Sequence, residues 1–125
     1  TMEAALDEHE NISMPAYALL PEARTIIMQL MSRVEGERLG RSMIVRLPPG
    51  GHITAHRDTG SHAEYYDRFH VVLQSKPGNR FICGGEIVEM RVGEVWWFQN
   101  QLLHEVMNMS DDDRLHMIVD IRLPR

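Results

Sequence analysis

"RSMIVRLPPGGHITAHRDTG", residues 41–60, decides the fold of this 125-residue chain. The run to Leu47 is largely apolar, with β-branched Ile44 and Val45, and it stops at Pro48-Pro49-Gly50-Gly51. Two prolines remove backbone donors and two glycines accept turn conformations, so the chain must reverse here. Beyond the turn, "HITAH" (52–56) resumes with β-branched Ile53 and Thr54. A helical His-x-x-x-His zinc pair is the competing reading of those five residues. It lacks the glutamate of the metalloprotease motif, and Ile53 and Thr54 after two glycines disfavour a helix. The stretch reads as strand, turn, strand.

The same pattern continues downstream. "RFHVVLQ" (68–74), "RFICG" (80–84), "EIVEM" (86–90), "EVWWF" (94–98), "HEVMNM" (104–109) and "RLHMIVDI" (114–121) are further short strands. Regular short strands parted by turn signals predict an antiparallel sandwich or barrel. "KPGN" (76–79) and "SDDD" (110–113) are the expected hairpin loops. Upstream, Leu20, Ala23, Ile27, Leu30, Met31 and Val34 recur at helical spacing. Pro21 suits that helix's first turn, and Gly36 or Gly40 is its expected stop. Residues 1–13 read as an acidic, weakly patterned lead-in. The expected architecture is mainly β, a jelly roll with an N-terminal helix packed on one sheet. Residues 1–125 form one domain, with the lead-in and helix in 1–40 and the jelly-roll core in 41–125.

Composition limits the partners. A net charge of -5 argues against a nucleic-acid-binding face, which needs a basic stripe. No apolar run approaches the ~18 residues of a membrane span. A single cysteine, Cys83, rules out a disulfide framework and points to a reducing, cytoplasmic compartment. In its apolar strand Cys83 is expected to be a buried small hydrophobe. Twelve of the thirteen basic residues are arginine, which suits fixed carboxylate contacts.

The chemistry-bearing residues fall in the strands. Alternation directs His56 and Asp58 to one face, as two ligands of one metal require. His104, opening the strand after "EVWWF", is the candidate third ligand. Two imidazoles and one carboxylate with open positions form the facial triad of non-haem Fe(II) oxygenases. An isolated His-x-Asp is also compatible with a solvated strand edge, and "HAE" at 62–64 is a decoy of similar form. Arg114 lies ten residues beyond His104, across the "SDDD" turn. It either grips the far carboxylate of a chelating keto-acid or neutralises Asp111 to Asp113. Arg68 and His70 share a face on a strand that would neighbour the site; pairing with Asp67 on an exposed face is the alternative. Trp96 and Phe98 are expected on one face and Trp97 on the other.

"LPPGGHITAHRDTG", "RFHVVL", "VGEVWWFQNQLLHEVMN" and "DRLHMIVDIRLP" together resemble the aspartyl/asparaginyl β-hydroxylase family of 2-oxoglutarate-dependent oxygenases. The resemblance covers residues 47–124. It implies a double-stranded β-helix (cupin-like jelly roll), Fe(II), 2-oxoglutarate as cosubstrate and O2. It makes His56, Asp58 and His104 the metal ligands and Arg114 the binder of the distal 2-oxoglutarate carboxylate. Arg68 and His70 match positions near the metal-proximal end of the cosubstrate. One position departs from the family: Val45 stands where the animal enzymes place a serine beside the distal carboxylate. The implied activity is hydroxylation of a C–H bond in an amino acid, peptide or related small molecule. "DTGSHAEYYD" (58–67) is the expected substrate-facing loop. The rival classes are a cupin-like metal protein or isomerase without 2-oxoglutarate chemistry, and a ligand-binding jelly roll without catalysis. Oligomeric state is not legible.

Overall fold

The structure is a computed structural model and describes residues 21–125. The lead-in expected over residues 1–13, and Leu20, lie outside the described residues. Helix α1 spans Pro21–Arg33, with Glu22 in its first turn and Arg33 in its last, both favourable to the helix dipole. The helix ends otherwise than expected. Glu35, not a glycine, takes the left-handed conformation (φ 53). Gly36 follows it, and its N–H donates to Met31 O at 2.9 Å. A Cβ on Gly36 would lie 2.6 Å from Ile121 Cγ2, so close approach explains the glycine.

Eight strands follow: β1 (Arg38–Leu47), β2 (His52–His56), β3 (Asp67–Gln74), β4 (Asn79–Cys83), β5 (Glu86–Val88), β6 (Val95–Trp97), β7 (His104–Asn108) and β8 (Arg114–Arg122). A short helix, α2 (Ser61–Tyr65), precedes β3. The strands form two antiparallel four-stranded sheets, ordered β1-β8-β3-β6 and β2-β7-β4-β5. This is the jelly-roll, cupin-like fold. Among the described residues no helix is long and apolar enough to cross a membrane.

The first sheet is covered on both faces. Outward-facing Phe69, Val71, Met117, Val119 and Ile121 bury against Ile27 and Leu30 of α1. The inward face meets the second sheet, where Leu47, Val72, Phe81, Met90 and Val106 form a second apolar cluster. Alternation then sends Arg68 and His70 of β3, and Arg114, His116 and Asp120 of β8, into the barrel. A buried strand face carrying this many polar groups is costly unless each finds a partner.

Smaller expectations divide. Trp96 and Phe98 pack on the inner cluster and Trp97 stays exposed, as alternation requires. Cys83 ends β4 and is half-buried, more open than its apolar strand suggested. β5 stops at Val88 rather than Met90. Gly40 stops no helix; it lies inside β1, where a Cβ would sit 2.7 Å from the buried Tyr66 ring. Gly40→Ala should therefore cost about 1–3 kcal/mol, read as the urea unfolding midpoint. No loss would mean that the ring moves aside freely.

Candidate metal centre

A β-bulge builds the centre. Ile53 pairs with Val106 and His56 with His104, so β2 has one residue more than β7 across the same interval. The extra residue reverses the phase of the strand. Ile53 and His56 consequently both line the barrel cavity. His52 instead faces outward and pairs with Glu105 at 2.6 Å, which disposes of a His52/His56 zinc pair. Asp58 lies two residues past the end of β2. Its N–H donates to Asn100 O at 3.0 Å, and Asn100 Nδ2 donates to its Oδ2 at 2.9 Å.

The ligand atoms of His56, Asp58 and His104 all lie within 4.8 Å of one another. Asp58 Oδ1 is 3.6 Å from His56 Nε2 and 3.7 Å from His104 Nε2. Each imidazole is oriented from behind. His56 Nδ1 bonds to Thr54 O and His104 Nδ1 to Leu102 O, both at 2.8 Å. A carbonyl only accepts, so each Nδ1 carries a proton, and each Nε2 faces Asp58. This is the tautomer that a histidine ligand needs. Asn100 was not legible as a site residue, because one amide after an aromatic strand carries no signal.

Arg114 enters the barrel at the end away from the triad. β7 runs from His104 to Asn108, roughly 13 Å of strand, before the turn delivers Arg114. Arg114 is 4% exposed and lines the same cavity as the triad, a space of about 90 Å³. Among the described residues no carboxylate pairs with it. The "SDDD" turn is satisfied elsewhere: Asp113 by Arg46 at 2.8 Å, and Asp111 by Lys76 at 3.1 Å. Burial alone lowers the Arg114 pKa to about 10. Its Nη2 donates to His116 Nδ1 at 3.0 Å. Val45 pairs with His116 in register, so the partner of Arg114 beside that valine is an imidazole on the neighbouring strand.

His116 Nδ1 must accept from a guanidinium, which has no lone pair to offer. His70 Nδ1 lies 3.1 Å from the same atom. Burial first, and Arg114 second, push the His70 pKa down to about 3 and the His116 pKa to about 2. Both rings are neutral in the folded protein and take up protons near pH 6.5 only when unfolded. Folded stability should therefore be complete above pH 6.5 and fall as pH drops toward 3. The limiting slope is about 1.4 kcal/mol per pH unit for each ring. Urea unfolding of the metal-free protein between pH 7 and 4 checks this. The slope should be shallower in His116→Asn, and an equal slope would contradict it.

β8 returns toward the triad and carries Asp120, 1% exposed. Arg68 grips it with two bonds, Nε to Oδ1 at 2.8 Å and Nη2 to Oδ2 at 3.0 Å. His62 Nε2 reaches Oδ2 at 2.8 Å. Burial opposes the charge on Asp120, but these bonds outweigh it and hold the carboxyl below its usual pKa. Arg68 Nη1 is left 3.6 Å from Asp58 Oδ2. The Asp67 alternative for Arg68 falls, since Asp67 pairs with Arg125 at 2.9 Å. The decoy dissolves too: His62 is buried on Asp120, and Glu64 is exposed on α2. Asp120, His62 and His116 were missed as site residues. The signal was available, because Asp120 and His116 share the inward parity of Arg114 on an otherwise apolar strand.

Three comparisons bear on this geometry. A family model described as aspartyl/asparaginyl beta-hydroxylase matches residues 3–124. L-proline cis-4-hydroxylase from Rhizobium meliloti (strain 1021) is 31% identical over 77 residues, 62% of this chain and 28% of that enzyme. The match thus spans little more than a quarter of that relative's length. Among solved structures, a predicted oxalate decarboxylase from Thermotoga maritima superposes with a TM-score of 0.54 at 19% identity, over 76% of this chain and 73% of that one. A cupin domain from Bordetella pertussis gives 0.52 at 23% identity, over 69% and 83%. At these identities the likeness establishes the fold alone.

Proposed function

Because the chain belongs to the aspartyl/asparaginyl β-hydroxylase family, we propose that it is an Fe(II)- and 2-oxoglutarate-dependent hydroxylase of an amino acid, peptide or related small molecule. The observation that carries this reading is Arg114, a buried guanidinium with no acid partner among the described residues, on the wall of the cavity that holds the His/Asp/His cluster. An uncompensated buried charge costs several kcal/mol, and an anionic ligand in the cavity offsets that cost.

The donor set fits the metal. Two neutral imidazoles and one carboxylate with open positions suit Fe(II). His56, Asp58 and His104 hold the metal in this reading. Fe(II) with 2-oxoglutarate and O2 supplies the oxidant that inserts oxygen into a C–H bond, leaving succinate and carbon dioxide. The protein's residues do the positioning. Thr54 O and Leu102 O fix the two imidazoles, and Asn100 fixes Asp58 so that Oδ1 faces the two Nε2 atoms that would hold the metal with it. Arg114 takes the distal carboxylate with its remaining N–H groups, while His116 steadies the guanidinium. Arg68 and His70 face the proximal end. Phe81, Phe98, Ile53 and Val106 line the same cavity and exclude water, which strengthens each charge contact. A single half-buried cysteine is compatible with a reducing cytoplasm that keeps iron divalent.

The test is succinate release from 2-oxoglutarate by the iron-loaded chain, screened over free amino acids and short peptides. Turnover of at least one small candidate is the expected result. Hydroxylation of a folded protein domain, with no small candidate turned over, would contradict the substrate class.

A further inference from the structure

Two carboxylates and two guanidiniums stand together beside the triad, and only one of the four groups, Asp58, belongs to it. Asp58 Oδ2 accepts from Asn100 at 2.9 Å, and Arg68 Nη1 stops 3.6 Å from the same oxygen, beyond hydrogen-bond reach. Arg68 is held at that distance from behind. Its Nε and Nη2 donate to Asp120 at 2.8 and 3.0 Å, and His62 Nε2 lies 2.8 Å from Asp120 Oδ2. Arg41 is the second cation. It lies in the irregular part of β1, where Leu39 pairs with Ile121 and Ser42 with Val119, so β1 has one residue more than β8 there. That bulge turns Arg41 inward, and its Nη2 comes within 4.0 Å of Asp120 Oδ2. Among the described residues, Asp120 is the one carboxylate within ion-pair distance of both guanidiniums.

Asp120 is not among the residues lining the cavity, whereas Asp58, Arg68 and the two ligand histidines are. It therefore acts on the site only through its neighbours. Burial acts against the Arg68 charge, but the bonds to Asp120, its charge and that of Asp58 outweigh burial and raise the Arg68 pKa. Burial first, and the Arg68 charge second, lower the Arg41 pKa, with Asp120 and Asp58 opposed. Asp58 is thus the second acid that both guanidiniums feel. Without Asp120 they turn to the acid that remains, because an uncompensated buried charge is costly. That acid is the candidate metal ligand. A guanidinium paired with Asp58 occupies the lone pairs that a metal needs, and its unbalanced charge repels a dication.

We propose that Asp120 is a positioning residue of the metal centre: it anchors Arg68 and so keeps Asp58 free to bind the metal. The assignment rests on the reading that His56, Asp58 and His104 hold the metal, and adds to it the acid that protects the ligand carboxylate. Charge balance makes the role specific. Asp120→Asn adds one positive charge beside the triad, Arg68→Gln removes one, and the two together return to the balance of the wild type. A role in the fold alone gives a different order, because Asp120→Asn and the double variant change the same contact with His62.

The test is the Co(II) affinity of the full chain without 2-oxoglutarate, measured by competition with a fluorescent chelator at one neutral pH. Urea unfolding of each metal-free variant fixes conditions under which all are folded. Asp120→Asn should bind Co(II) ~10–100-fold more weakly than the wild type, the range for losing an outer partner. Arg68→Gln should bind it as tightly as the wild type or more tightly. Adding Arg68→Gln to Asp120→Asn should restore the affinity to within about threefold of the wild type, a coupling that independent sites would not show. The Co(II) absorption of the double variant should match that of the wild type, since the same three ligands bind. Where Asp120→Asn does not fold, the double variant decides alone: wild-type affinity supports the role and weak binding contradicts it. Unchanged affinity in Asp120→Asn, a double variant as weak as Asp120→Asn, or weakened binding in Arg68→Gln would each overturn the role of Asp120. Failure of the wild type to bind Co(II), or undiminished binding in Asp58→Ala, would instead overturn the metal site on which it rests.

Discussion

Arg114→Gln should weaken 2-oxoglutarate binding by ~30-fold or more, a cost of ~2–5 kcal/mol, while metal affinity is unchanged. The side chain is buried, forks toward the cavity and has no carboxylate partner among the described residues. The diacid's far carboxylate would lose a charge-assisted pair in a site where water cannot replace it. Arg114→Lys keeps the charge without the planar fork, so its effect should be smaller and fall mainly on the 2-oxoglutarate KM. Stability should move the other way. Removing an uncompensated buried charge relieves the metal-free protein, and Arg114→Gln should melt at the same temperature as the wild type or above it. Reduced stability with unchanged cosubstrate affinity would show a guanidinium that serves the fold alone.

Asp58→Ala should have the larger effect on the metal. Its Oδ1 lies within 3.7 Å of both ligand nitrogens, and Asn100 holds its other oxygen at 2.9 Å. Losing an outer partner such as Asn100 costs ~10–100-fold in metal affinity, so Asn100→Ala should fall in that range and Asp58→Ala well beyond it. Glu64→Ala should change nothing, because Glu64 is exposed on α2 and the triad does not include it. Competition with a fluorescent chelator orders the three variants. Equal losses in Asp58→Ala and Glu64→Ala would remove Asp58 from the ligand set.

The fold was legible because its signals are local. The Pro48-Pro49-Gly50-Gly51 turn, the alternating strands and the stripe from Ala23 to Val34 each act over a few residues. That His56, Asp58 and His104 cluster was legible in outline for a related reason: His56 and Asp58 are close in sequence, and His104 opens a strand. The bulges were not. Nothing in "HITAH" announces that β2 takes an extra residue, yet that residue aims Ile53 and His56 into one cavity. The bulge that turns Arg41 toward Asp120 is equally silent. Long-range pairings explain the remaining misses. His62 and Asp120 are 58 positions apart, and only the folded barrel makes them partners. The helix stop was legible only in part: Gly36 closes the end through its N–H to Met31 O, but Glu35 makes the left-handed turn and Gly40 serves close packing against Tyr66. A glycine marks tight space as readily as it marks a turn.

The central claim is that one cavity holds Fe(II) at His56, Asp58 and His104 and a diacid at Arg114. Anaerobic titration of the Fe(II)-loaded chain with 2-oxoglutarate, followed by the metal-to-ligand charge-transfer absorption, tests both halves together. The account predicts a saturable band that appears with one equivalent of cosubstrate in the wild type. The band should be lost in His104→Ala at any concentration, and in Arg114→Gln it should be recovered only at far higher 2-oxoglutarate. Absence of the band in metal-loaded wild-type protein, or its undiminished appearance in Arg114→Gln, would contradict the account.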